Sequence, residues 1–213
     1  MKIKARHRIG LSLVEVALVL ATIALLFFLL MSWTSKPVYR SKRISCTSNL
    51  KQIGLSYRLW SNDHNDQFPF ASTNVESSLR FVNSWQVFRH FQVMSNELIT
   101  PKVLVCNSDS KRTRAIDFVN FSNTNISYFV GLDAREDSPQ SILSGDRNIT
   151  GGTLSKGFLR LLNPTTQAGW TKEMHENAGN IGLGDGSVQQ VTGSALNRQL
   201  SASTNATIRL AIP

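Results

Sequence analysis

Between Leu11 and Met31 the chain is almost continuously apolar, and from Val16 to Met31 the only polar side chain is Thr22. A helix rises 1.5 Å per residue, so roughly 20 such residues span the hydrocarbon of a bilayer. The segment Leu11 to Trp33 meets that length, and Thr22 is no obstacle, because its hydroxyl can bond back to its own helix backbone. No other stretch of the 213 residues is comparable, which excludes a membrane bundle and leaves about 180 residues, the size of one ordinary domain. Those residues carry most of the four Trp and eleven Phe, enough to build a core, so disorder is also excluded.

The one acid in the apolar segment is Glu15. A carboxylate at membrane depth costs several kcal/mol on insertion scales, so it marks a partner or a function. Ahead of it lie Lys2, Lys4, Arg6 and Arg8, then Gly10. A secretory signal has its small residues after the apolar run, whereas here the small residue precedes it. The four basic residues also locate the chain's charge. Lys and Arg total 23 against 14 Asp and Glu, a formal +9, and without the first ten residues the balance falls to +5. By the positive-inside rule they hold the N-terminus in the cytoplasm and direct the rest outward, although Lys36, Arg40, Lys42 and Arg43 weaken the asymmetry.

A basic leader ending in glycine, an apolar residue, Glu at the fifth position beyond the glycine and an unbroken apolar run resemble the class III signal of type IV prepilins and type II secretion pseudopilins. The resemblance implies cleavage after Gly10 by a prepilin peptidase, N-methylation of Leu11, and pairing of Glu15 with a neighbouring subunit's N-terminus during assembly. Leu11 departs from the usual Phe. The bland alternative is an uncleaved signal anchor with Glu15 at headgroup level.

Beyond the membrane segment Pro37 can kink a helix. Cys46, Leu50, Ile53, Tyr57 and Trp60 then recur at spacings of 4, 3, 4 and 3, the repeat of one helical face, which predicts an amphipathic helix packed on the domain. Ser61-Asn62-Asp63-His64-Asn65-Asp66-Gln67 ends it as a solvated turn, and Phe68-Pro69-Phe70 begins extended chain. The turn's acids fail the calcium-loop pattern, lacking its glycine and terminal Glu. Residues 84–98 read as helical, and Pro101-Lys102-Val103-Leu104-Val105-Cys106 as a strand. Further strands are expected at 127–132 and 140–144. The pattern is α+β with an antiparallel sheet. The pilin resemblance adds a long N-terminal helix, half membrane and half amphipathic, laid along a small sheet. The expected divisions are a leader at 1–10, a membrane and assembly helix at 11–33, its amphipathic continuation at 34–62, and an exported domain at 63–213.

Near the C-terminus Asn180 to Val191 reads as a hairpin whose Asp185-Gly186 fits the two central positions of a type I′ turn. Nine residues separate His175 from Asp185. This H-x9-DG spacing is similar to that of a bacterial pilin-like family, which Cys46-Thr47-Ser48-Asn49-Leu50-Lys51-Gln52-Ile53-Gly54, Val105-Cys106-Asn107-Ser108-Asp109 and Leu143-Ser144-Gly145-Asp146-Arg147-Asn148 also resemble. Asn107 stands where that family usually has Pro.

Two cysteines, 60 apart, are too few for a thiolate zinc site, and either one disulfide or two buried free thiols fits Cys46 and Cys106. His175, Asp185 and Asp146 could ligate a metal if brought together, but turn chemistry already explains Asp185 and Gly186, and neither a His pair nor a nucleophile elbow is present. No catalytic residue, metal or cofactor is therefore expected. The basic clusters, including Lys111, Arg112 and Arg114, lack interleaved aromatics, which argues against a nucleic-acid groove. The expectation is a non-enzymatic pilin-like subunit, single-pass in the inner membrane. Its partners are prepilin peptidase, lipid before assembly, and other pilin or pseudopilin subunits. Its domain is periplasmic or extracellular. The alternative is a membrane-tethered exported enzyme or metal-binding or ligand-binding domain that uses the signal only for export.

Overall fold

The computed structural model describes residues 12–31, 35–203 and 205–213, with the side chains of 31 and 35–40 outside the description. The chain divides into two compact units, Met1–Ser41 and Lys42–Pro213. In the first, helix α1 (Leu13–Met31) has every described side chain exposed. Among the described residues it is the one helix long and apolar enough to cross a membrane. Helix α2 (Ser35–Asn62) carries Pro37 in its first turn, where a missing backbone N–H breaks no helical bond.

From Lys42 onward the protein is α+β. Strands β1 (Tyr128–Gly131), β2 (Ile142–Asp146), β4 (Thr153–Ser155), β5 (Leu159–Leu162), β7 (Ala178–Leu183), β8 (Val188–Thr192) and β9 (Ile208–Ala211) form one sheet in the order β4-β5-β9-β1-β2-β7-β8. Every neighbouring pair in it is antiparallel. Strands β3 (Ile149–Thr150) and β6 (Gly169–Trp170) pair separately. Three short α-helices, α3 (Arg89–Gln92), α4 (Ser95–Leu98) and α5 (Gly193–Ser201), accompany the strands, with 3-10 turns between.

Successive strand residues point to opposite faces, and here both faces are covered. Tyr128, Val130 and Leu143 pack into one core with the α2 stripe Cys46, Leu50, Ile53, Tyr57 and Trp60, all buried. Phe129, Ile142, Ile181 and Leu210 turn to a second core closed by Leu196 and Leu200 of α5. Thus the 3.6-residue repeat of α2 finds the period-2 repeat of the sheet.

Four local expectations need correction. The segment beginning at Pro101 is a 3-10 helix over Pro101–Leu104, not a strand. Proline at its start fixes φ, and the Thr100 hydroxyl accepts a bond from the Lys102 N–H, so the β-branched run is captured by a helix-start signal. The helical segment at 84–98 is broken into α3 and α4. After α2, Asn65 and Asp66 take positive φ to reverse the chain. Pro69 and Phe70 then continue in a turn, with the Ala71 N–H bonded to the Phe68 carbonyl, rather than in extended chain. Finally, the β7–β8 connection is not a two-residue type I′ turn. The Gly186 N–H bonds to the Leu183 carbonyl, the Leu183 N–H bonds to the Ser187 carbonyl, and of the loop residues Gly186 alone has positive φ, +82°. This is a three-residue loop closed by a glycine bulge.

Candidate functional site

In the first unit Gly10 and Leu11, with the whole leader, lie outside the described residues. Glu15 is described, and its geometry is local. Its Oε2 accepts the Ser12 N–H at 2.8 Å, while the Ser12 hydroxyl accepts the Glu15 N–H at 3.3 Å. This reciprocal capping box satisfies two of the donors that a helix start leaves unpaired. The pattern S-x-x-E at Ser12 and Glu15 is the sequence signal for this cap.

In the second unit the four motif segments meet. Cys46 of α2 and Cys106 are joined by a disulfide, with Cα atoms 5.0 Å apart. Asn49, one helical turn on, donates from Nδ2 to the Val105 carbonyl at 3.2 Å. Behind the disulfide, His175 Nε2 is 3.4 Å from Cys106 Sγ and 3.4 Å from Asp146 Oδ2. That carboxylate oxygen also accepts the backbone N–H of Asn180 at 2.7 Å and its Nδ2 at 2.9 Å. Cys46, Cys106, His175, Asp146 and Asn180 are all buried. Asp146 ends β2 and Asn180 lies in β7, so the sheet register places the two acceptor and donor groups face to face.

The next residue of the same motif makes a two-pronged ion pair with a buried acid. Arg147 holds Asp109 through two bonds of 2.7 and 2.8 Å, and the Asp109 side chain is only 1 % exposed. Burial pushes the Asp109 carboxyl up, but the Arg147 guanidinium outweighs it and holds the group below its usual range. Elsewhere in the cluster burial dominates. It raises Asp146 to about 7, against the Asn180 donors and the charge of Arg43. Burial, then Arg43, lowers His175 to about 4. The imidazole is therefore neutral at physiological pH and keeps a lone pair on one ring nitrogen.

Two glycines of the motif segments sit where the backbone is closely approached. A Cβ on Gly54 of α2 would lie 3.3 Å from the Gly186 Cα, so the hairpin tip rests directly on the helix. On Gly145 it would lie 2.6 Å from the Phe129 ring and 2.8 Å from the Asn180 carbonyl.

Of the candidate metal set, the fold brings His175 to Asp146 and not to Asp185. Asp185 is exposed at the hairpin tip, where its Oδ1 accepts the Ser187 N–H at 2.8 Å. The antiparallel register of β2 and β7 puts that tip beside Ile142, at the end of β2 opposite Asp146. The second basic cluster is engaged internally: Lys111 pairs with Glu173 at 2.5 Å, Arg112 donates to the carbonyls of Ile126 and Pro213, and Arg114 donates to Asn107. Sequence reasoning missed Asn180 and the Asp109–Arg147 pair. Each depends on strand register or on contacts far apart in the chain, and no local spacing signals either. No protein-family model, curated protein or solved structure matches the chain.

Proposed function

We propose that the protein is a pilin-like structural subunit of a type IV pilus or a type II secretion pseudopilus. In this reading it is inserted once in the inner membrane with its N-terminus cytoplasmic, cleaved after Gly10 by prepilin peptidase, and methylated on Leu11. The observation that carries the reading is α1 itself, an apolar helix exposed all round whose one carboxylate, Glu15, stands in its first turn. In lipid that surface is covered by acyl chains, and in a filament by equivalent helices. Glu15 caps its own helix through Ser12 in the single chain, four residues from the amine that cleavage would create at Leu11. On assembly it would exchange that bond for a neighbour's amine, a charge pair in a low dielectric, and so set the axial register. The α2 stripe buried against the sheet is compatible with a domain carried on such a helix.

The alternative, a tethered enzyme or binding domain, rested on His175, Asp146 and Asp185 acting together. The division of that set between two ends of β2 weakens it. Intact-mass measurement of the protein from cells with and without a prepilin peptidase tests the leading reading. The expected product in peptidase-containing cells begins at Leu11 and carries one added methyl group. Retention of residues 1–10 in both strains would rule out the processing step.

A further inference from the structure

Cys46, Cys106 and His175 present their ligand atoms within 4.8 Å of one another, and Asp146 Oδ2 is 3.4 Å from the same imidazole nitrogen. A tetrahedral zinc ion, with bonds near 2.0–2.1 Å to N and O and 2.3 Å to S, spaces adjacent ligand atoms about 3.3 to 3.8 Å apart. Two of the six edges of such a tetrahedron, Cys106 Sγ to His175 Nε2 and His175 Nε2 to Asp146 Oδ2, are 3.4 Å, and Asp146 joins the two cysteines and the histidine through that imidazole. The covalent bond between Cys46 and Cys106 holds the two sulfurs closer together than two ligands of one tetrahedral ion.

We propose that after reduction Cys46, Cys106, His175 and Asp146 form a four-coordinate site for a zinc-class divalent cation, so that disulfide and metal are alternative staples at one position. The reductant is a dithiol. It gives two electrons and two protons, the Cys46–Cys106 bond breaks into two thiols, and the dithiol leaves as its own disulfide. Metal binding then releases the two thiol protons to solvent. Two thiolates, one carboxylate and a neutral imidazole around a dication leave one net negative charge, and Arg43, whose charge already acts on both Asp146 and His175, offsets it. The Asn180 N–H groups that hold Asp146 Oδ2 supply the outer hydrogen bonds that orient a metal-bound carboxylate. Either staple links α2 to the segment after the 3-10 helix, so the domain keeps the same cross-link in both redox states. This inference does not depend on filament assembly.

The test uses the full chain in detergent micelles, reduced with dithiol, desalted without oxygen and titrated with cobalt(II). The expected result is one cobalt per chain with thiolate-to-cobalt charge-transfer absorption and a tetrahedral d–d pattern, neither appearing in the unreduced chain. Asp146→Asn should weaken binding about tenfold or more. If reduction unfolds the domain, cobalt should restore its circular dichroism together with the charge-transfer band, and failure to do so overturns the proposal. Absence of that band in a folded reduced chain, or unchanged affinity in His175→Ala, would equally overturn it.

Discussion

The N-terminal helix and the buried cluster around the disulfide solve opposite problems. In α1 the side chains are apolar and outside: Leu13 is 87 % exposed and Phe28 71 %. In the cluster they are polar and inside, with Asp146, His175 and Asn180 all buried. Soluble folding favours neither arrangement. The first gains its free energy only from surroundings the chain does not supply, and the second offsets the desolvation of charge with hydrogen bonds fixed by strand register. One region is thus incomplete as a single chain and the other is self-contained.

That contrast can be broken most severely at the disulfide. Replacing both Cys46 and Cys106 by Ser opens a loop of sequence separation 60. The expected cost is about 4 kcal/mol of unfolding free energy. Urea unfolding followed by tryptophan fluorescence measures it, and a midpoint matching the parent would show that the cluster's hydrogen bonds suffice alone.

A second, smaller effect separates burial from partnership. His90 is buried with Nδ1 2.8 Å from the Ser78 hydroxyl, and burial lowers its pKa to about 4. Because the folded value lies below the unfolded 6.5, the unfolded chain takes up the proton first. The stability His90 contributes is therefore complete above pH 6.5 and is lost as pH falls from 6.5 to about 4, by about 3 kcal/mol in all. The difference in urea midpoint between the parent and His90→Gln, followed across that window, isolates the residue, since both carry His175 and Asp146. A difference that stays flat with pH would refute the shift.

The smallest expected effect lies in α1. Leu13→Ala should change the domain's unfolding free energy by no more than about 0.5 kcal/mol, because the residue is 87 % exposed. A larger loss, measured by the same unfolding assay in micelles, would mean that α1 supports the domain directly and that the two regions are not independent.

Legibility in the sequence follows the same division. The long apolar helix and the α2 stripe were readable because each is a local, repeated apolar signal. The positions of β1, β2 and the β7–β8 hairpin were readable from short runs between turn residues. The 3-10 helix at Pro101 was not, since a β-branched run and a proline start compete and the proline won. Nor was the loop type at Asp185-Gly186, because that dipeptide serves both a two-residue turn and a glycine bulge. Of the candidate site, the motifs named Cys46, Cys106, Asp146 and His175. That His175 would lie 3.4 Å from both Cys106 and Asp146, with Asp185 at the other end of the sheet, is a matter of register, which pairwise spacing along a chain does not encode.

The place of β9 sets an order of events. It lies between β5 and β1, so until residues 208–211 are available the sheet exists only as two separate pieces, β4-β5 and β1-β2-β7-β8. The Cys46–Cys106 cross-link needs nothing beyond residue 106. A chain emerging from its N-terminal end can therefore acquire its covalent bond more than a hundred residues before its sheet can close. Once β1 and β5 have emerged, and until β9 follows, the two strand edges that β9 will join stand unpaired.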